Sequence, residues 1–252
     1  MDVFMNLLVG VIEQGLIYGL LVLGIYISYK VLNIPDLSVD GTFPLGGAVC
    51  ALALMNGVNP WLSLLLAMLA GALAGMLSGI LHVRLKISEL LAGIIVMTSL
   101  YSVNLRLVGS SNVPLFNYDT IFNGPLASLI PQPLGGLWLR VSFISLILVI
   151  VFKLLLDRLL ISRFGYLLRA TGDNPRVVLS LGKDPGRYKI YGLALANSMV
   201  ALSGAVLTQQ QRVFDIGMGT GTMVIGIGSV VMGISLFGRV SWLKATTAAI
   251  LG

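Results

Sequence analysis

Apolar runs follow one another almost without relief from residue 9 to the end of this chain, and that continuity decides what it can fold into. They lie at about 9–32, 44–56, 60–81, 89–107, 137–156, 190–208 and 222–237, with a further run from 245. Only 10% of the 252 residues are charged and 57% are hydrophobic, whereas a soluble domain carries about 25% charged residues. So few polar groups cannot cover a surface that faces water, so lipid is the solvent for most of the chain. The runs span the whole length, which excludes a lone signal peptide or a single anchor. They do not alternate over ten-residue segments as the strands of a transmembrane barrel do. The expectation is one all-α polytopic membrane domain over residues 1–252, with about seven or eight transmembrane helices. The final run, "ATTAAILG", is far shorter than the roughly 20 residues a spanning helix needs, so the protein is expected to continue beyond Gly252.

One run breaks the pattern. Residues 44–56 are too few to cross about 30 Å of hydrocarbon as a regular helix. They follow "IPDLSVDGTFPLGG" (34–47), which carries Asp36, Asp40, two prolines and three glycines. A short apolar segment beside Pro and Gly is the sequence pointer to a discontinuous helix in a transporter.

Sidedness follows from Lys and Arg, which mark cytoplasmic loops. Loop 157–189 holds seven of the 16 basic residues, from Arg158 to Lys189, and loop 108–136 holds none. The first is therefore expected inside and the second outside, with the turns at Arg84/Lys86 and Arg239/Lys244 also inside. The net charge of +6 belongs to these loops and indicates no nucleic acid. Cys50 and His82 are each the only residue of their type, so there is no internal disulfide and no defensible His/Cys metal cluster or Ser/His catalytic set. The spacing of Gly71, Gly75 and Gly79, like the crowd at Gly226, Gly228, Gly233 and Gly238, suits close helix packing in lipid, within the subunit or at a seam between copies.

Within the cytoplasmic loop, "RATGDNPRVVLSLGKDPGRYK" (169–189) predicts a helix of about two turns. Asp173 or Asn174 serves as N-cap, Pro175 suits the first helical position, and Gly182 suits the left-handed residue beyond the end. Val177, Val178 and Leu181 are expected on one face. A helix this short is marginal alone and must dock against something, either the membrane surface or a partner protein.

The loop resembles that of ABC-transporter permeases of the branched-chain amino acid and ribose class, whose form is A-x-G-x-N-x-x-A-A-x-x-x-G. The chain matches at Ala170, Gly172, Asn174 and Gly182 and departs with Val177 and Val178 at the paired alanines. "DLSV" (36–39) is similar to the same class. "IPDLSVDGTFPLGGAV" and "FDIGMGTGTMVIGIGSVVMGISLFG" (214–238) resemble a narrower branch assigned to tryptophan and tyrosine, with Ser235 near a position where an acid is common. The resemblance implies a type II ABC importer-like transmembrane domain in the cell membrane (inner or plasma) of a prokaryote. It implies a homodimer lining one pathway, cytoplasmic ATPase subunits and an extracytoplasmic solute-binding protein. It assigns ATPase coupling to Asp173, Asn174, Pro175, Arg176, Val177, Val178, Leu181 and Gly182. The chain has no G-x-x-x-x-G-K-[ST] loop, so it would hold no cofactor, and ATP-Mg would sit on the partner. The solute is expected to be a small polar one, an aromatic or branched-chain amino acid ahead of a sugar or nucleoside.

Polar groups inside a membrane domain are costly and tend to face its interior. Asp36, Ser38, Asp40, Thr42 and Asn104 are the pathway candidates, with Gln209, Gln210 and Gln211 at the end of a run. Each acid has a structural alternative, because Asp is favoured at helix starts. Two rival readings are a stand-alone secondary transporter, which would favour inverted repeats, and a membrane-embedded enzyme, which would need clustered acids, His or Lys at one face.

Overall fold

Between helices in lipid there is no hydrophobic driving force, so close backbone approach and polar contacts must hold them together. The computed structural model describes residues 2–123, 137–237 and 244–252. The chain runs α1 (Asp2–Ile25), prolonged by a π turn (Tyr26–Val31), then α2 (Val39–Met55), α3 (Pro60–Val83), α4 (Glu89–Val108) and strand β1 (Asn112–Pro114). There follow α5 (Leu137–Ile161), α6 (Arg163–Asp173), α7 (Pro175–Ser180), α8 (Pro185–Gln211), strand β2 (Val213–Asp215), a 3-10 turn (Ile216–Gly219), α9 (Thr222–Phe237) and α10 (Ala245–Leu251). Among the described residues, five helical stretches are long and apolar enough to cross a membrane, and α2 is a shorter apolar helix.

α8 is the axis of the bundle, buried almost continuously from Gly192 to Gln209. It can sit there because its own side chains are small and because α3 presents its glycine ladder to it. A Cβ at Gly71 would strike the Asn197 carbonyl, one at Gly75 the Leu193 carbonyl, and one at Gly79 the backbone of Ile190. The ladder is therefore a seam inside the subunit. Gly226 packs on Ile25 and Gly233 on the backbone of Ala248, while Gly238 and Arg239 lie outside the described residues. So does the second half of the 108–136 connection, from 124 onward.

α2 begins at Val39, five residues before the apolar run, and contains Pro44. Its first turn lies beside Asn197, well along α8, and its end lies beside the start of α3. Seventeen residues make about 25 Å of helix, shorter than the membrane-length helices around it. Gly172 of the 157–189 loop packs against the backbone of Val31, so α1 ends on that loop's side of the bundle and starts on the other. β1 and β2 pair antiparallel, Val113 opposite Phe214, and tie the end of α4 to the end of α8.

Candidate functional site

The polar break starts where the first helix stops. Asn33 adopts a left-handed conformation (φ 56°), which Asn tolerates better than most residues, and the Ile34 amide donates back to the Ser28 carbonyl (2.8 Å). Asp36 then turns into the bundle and is only 2% exposed. Its Oδ1 accepts from the Ser38 amide (3.0 Å) and the Ser78 hydroxyl (3.2 Å), and its Oδ2 from Asn197 Nδ2 (2.8 Å). Ser38 donates its hydroxyl to Asn197 Oδ1 (3.3 Å), and Thr42 donates to the Ser38 carbonyl (3.0 Å). A buried carboxylate is tolerable only when it is fully hydrogen-bonded, and this one is met at both oxygens. The knot joins α2, α3 and α8.

Asp40, one turn further, serves a different helix. Its Oδ1 accepts from the Met223 amide (2.8 Å) and the Thr222 hydroxyl (2.9 Å), and its Oδ2 from the Gly221 amide (3.2 Å). It therefore caps the start of α9 from the first turn of α2, meeting free helix-start N–H groups with a negative charge. Two helix starts face each other here, joined by one carboxylate.

Beside Asp40 opens a cleft of about 270 Å³, walled by α2, α4 and the 3-10 turn through Pro44, Met97, Thr98, Tyr101, Asn104 and Ile216. α4 approaches closely because Gly41 and Gly93 lack side chains, leaving room for the backbones of Met97 and Leu37. Asn104 is fully buried. Its Nδ2 donates to the Gly41 carbonyl (3.2 Å), and its Oδ1 has no partner. The outward face of α4 near the cleft carries Thr98, Ser99, Tyr101 and Ser102, all exposed.

Ser38, Asp36 and Thr42 therefore belong to the buried knot, and Asp40 and Asn104 to the cleft wall. The glutamines do other work. Gln209 donates to Ser63 Oγ (3.0 Å), the Pro60 carbonyl (3.1 Å) and Cys50 Sγ (3.3 Å), and accepts from the Ile121 amide (2.8 Å). Gln210 meets Glu13 (3.5 Å), and Gln211 is exposed. Sequence reasoning missed Asn197 and Ser78, the two side-chain donors that fix Asp36. Their only signal was a polar residue among small ones in an otherwise apolar run.

In the loop between α5 and α8, α7 forms over Pro175–Ser180, with Asn174 as its cap, accepting from the Arg176 amide (3.1 Å), and Gly182 left-handed beyond it. Asp173 is instead the last residue of α6. The apolar residues split, contrary to the single face expected. Val178 is fully buried against the bundle, whereas Val177 (47% exposed), Leu179 (59%) and Leu181 (61%) point outward. α7 is so short that it is anchored by one side chain, and the rest of its apolar surface is free.

His82, Lys189 and Glu89 gather where α3, α4 and α8 reach that loop's side of the bundle. Lys189 Nζ donates to His82 Nε2 (3.1 Å), and Glu89 Oε1 lies 3.4 Å from His82 Nε2 and 3.6 Å from Lys189 Nζ. At the entrance to the loop, Asp157 accepts from Thr246 Oγ1 (2.7 Å) and Lys244 Nζ (3.1 Å), with Lys153 Nζ at 3.3 Å. Burial alone would raise its carboxyl, but the Thr246 and Lys244 hydrogen bonds and the Lys153 charge outweigh it and hold the group below the usual carboxylate value.

Comparison with known proteins identifies the family. The family model described as "Branched-chain amino acid transport system / permease component" matches residues 7–249. A tyrosine transport system permease protein of Clostridioides difficile is 42% identical over 248 residues, covering 98% of this chain and 80% of that protein. A probable branched-chain amino acid transport permease of Methanocaldococcus jannaschii is 24% identical over 257 residues, 96% of this chain and 76% of that one. A ribose import permease protein of Bacillus subtilis is 29% identical over 226 residues, 90% and 67% respectively. No solved structure matches significantly. A family match over nearly the whole chain, on a bundle of membrane-length helices, shows that this protein belongs to the branched-chain amino acid transport permease family of ABC importers, as a multi-pass protein of the prokaryotic inner membrane.

Proposed function

We propose that this permease forms, with a second copy of itself, the pathway by which an ATP-driven importer admits an aromatic amino acid, with tyrosine as the first candidate. The substrate reading is supported by the tyrosine permease relative, which is more similar than the ribose permease. The pathway follows the short hydroxyl-bearing stretch of α4 at Thr98, Ser99 and Ser102 and the cleft at Asp40 and Asn104, while Asp36, Ser38 and Thr42 hold the break that shapes it. A solute-binding protein delivers substrate at the outer side.

The observation that carries the ATPase partner is the outward face of α7. Val177, Leu179 and Leu181 are exposed on a helix held by a cap at Asn174 and by Val178 beneath. Such a face rests stably in a groove of another protein, and Arg176 and Lys183 border it with charge. ATP binding and hydrolysis on that partner then move α7, and the motion passes through Val178 into the bundle. ATP-Mg is bound by the partner.

Co-purification tests this. The permease should retain an ATPase subunit, and Leu181→Glu should release it while the permease stays folded. Unchanged assembly with unchanged transport-linked ATPase activity would refute the coupling role. The ligand held by the cognate binding protein, measured by thermal shift across amino acids, sugars and nucleosides, tests the substrate.

A further inference from the structure

Between the start of α6 and the start of α8 opens a pocket of about 520 Å³, lined by Phe164, Lys183, Asp184, Arg187, Tyr188 and Tyr191. Its one carboxylate is already engaged. Asp184 Oδ1 accepts from the Gly186 amide (2.9 Å) at the start of α8, and Oδ2 lies 3.5 Å from Arg187 Nε. Arg187 meets it through Nε alone, which leaves the terminal guanidinium nitrogens open among the described residues. Lys183 is exposed and has no acidic partner among them. Two cations against one acid leave the pocket a single net positive charge. The hydroxyls of Tyr188 and Tyr191 have no partner among the described residues either. The Tyr188 ring rests against Phe164, with ring centroids 5.9 Å apart, and Tyr191 is 50% exposed.

Guanidinium, ammonium and phenol groups all donate. Converging on one accessible pocket, they suit an anion with several acceptor oxygens. A nucleotide polyphosphate carries several negative charges, which the single net positive charge does not match. A phosphodiester carries one. The level of the pocket narrows its source. Tyr191 stands one residue before the buried stretch of α8 that begins at Gly192. The exposed apolar residues of α5, Leu154, Leu155 and Ile161, end three residues before Phe164. The pocket therefore lies where membrane-length helices leave the hydrocarbon, the depth at which tyrosines gather beside headgroups. A free ion would be held there only by exposed, salt-screened charges, whereas a lipid phosphate is kept at this depth by its own acyl chains.

We propose that this pocket is a headgroup site for an anionic phospholipid, whose phosphate is held by Lys183 and Arg187 and by the hydroxyls of Tyr188 and Tyr191. Basic pockets between membrane helices take such headgroups. A zwitterionic lipid brings an ammonium group of its own beside the same two cations and is disfavoured by like-charge repulsion. Bound there, the lipid ties α6 to the segment that joins α7 to α8. The site stands independently of the transport reading above.

Native mass spectrometry of the full-length permease, after incubation with equal amounts of phosphatidylglycerol and phosphatidylcholine, tests this. The native protein should retain phosphatidylglycerol about tenfold more than phosphatidylcholine, and Lys183→Gln with Arg187→Gln should abolish that preference. Arg84→Gln with Lys86→Gln removes the same charge from the exposed turn between α3 and α4 and should leave the preference intact. No preference in the native chain overturns the proposal, and that comparison stands even where a variant is poorly produced. Equal losses from the two double variants reduce the effect to general surface charge and overturn it too. Displacement of the lipid by an equal concentration of inorganic phosphate would make the site one for the free ion, and displacement by the ATPase subunit would make it a protein contact. Either result overturns the lipid assignment.

Discussion

At residues 34–42 carboxylates and hydroxyls sit inside an apolar bundle, and both oxygens of Asp36 are met by neighbours. At residues 174–182 valines and leucines sit in a loop rich in cations, and only Val178 is covered. Each region carries the residue type that its surroundings disfavour, and the two resolve the conflict in opposite ways. The break closes its polar groups within the chain, because an unmet buried charge has no solvent to turn to. The short helix leaves its apolar groups open, because an exposed apolar side chain costs far less than an unmet buried charge. A self-satisfied region reads as architecture and an unsatisfied one as an interface.

The largest expected effect is at the closed region. Asp36→Ala strands the Ser78 hydroxyl, Asn197 Nδ2 and the Ser38 amide, at about 1–3 kcal/mol for each unmet buried group. The variant should lose most of its monodisperse protein in detergent. A native melting temperature would break the comparison, since the knot would then contribute little to the fold.

The open region should behave in reverse. Leu179→Glu with Leu181→Glu should leave permease stability within about 0.5 kcal/mol, as exposed substitutions usually do, yet cut ATPase co-purification at least about tenfold. Val178→Glu should instead unseat α7 and lower the melting temperature, because it buries a charge. If all three substitutions lose partner and stability together, the division between inward and outward residues fails.

Asp40 sharpens the contrast because it belongs to both kinds of region, a cap that also walls the cleft. Asp40→Asn should cost about 1 kcal/mol, the usual scale of a helix cap, and should reduce transport more than it reduces folded protein. Equal losses of transport and of folded permease would leave it a cap alone.

The smallest effect concerns pH at the loop entrance. Asp157 is held below the usual carboxylate value in the folded state, so the unfolded chain takes up a proton first as pH falls. Its stabilising contribution is complete above the ordinary carboxylate range, near pH 4, and is lost as pH drops through the depressed folded value. The melting temperature of Asp157→Asn should therefore fall less steeply under acid than that of the native chain, and parallel curves would contradict the Asp157–Lys244–Thr246 contact.

Much of this was legible in the chain. The short run after Pro35 marks the short helix α2, which nevertheless runs unbroken through Pro44, and the cap and stop of α7 are written at Asn174, Pro175 and Gly182. What was hidden depends on partners far away. Asp36 reads as a helix cap until Asn197 and Ser78 arrive beside it, and Asp40 caps α9 rather than the helix it begins. Val177, Val178 and Leu181 share a predicted face, yet the angle at which α7 lies on the bundle separates them. Asn104 was visible as a polar residue in a membrane helix, but the vacancy at its Oδ1 was not.

By itself, the sequence determined the solvent, the helices and the short one among them, because hydropathy and capping are properties of neighbouring residues. Only the tertiary structure decided which polar group is spent and which is free. Hydrogen bonds and burial are closed by whichever residues packing brings together, and here the deciding pairs, Asp36 with Asn197 and Asp40 with Met223, lie far apart along the chain.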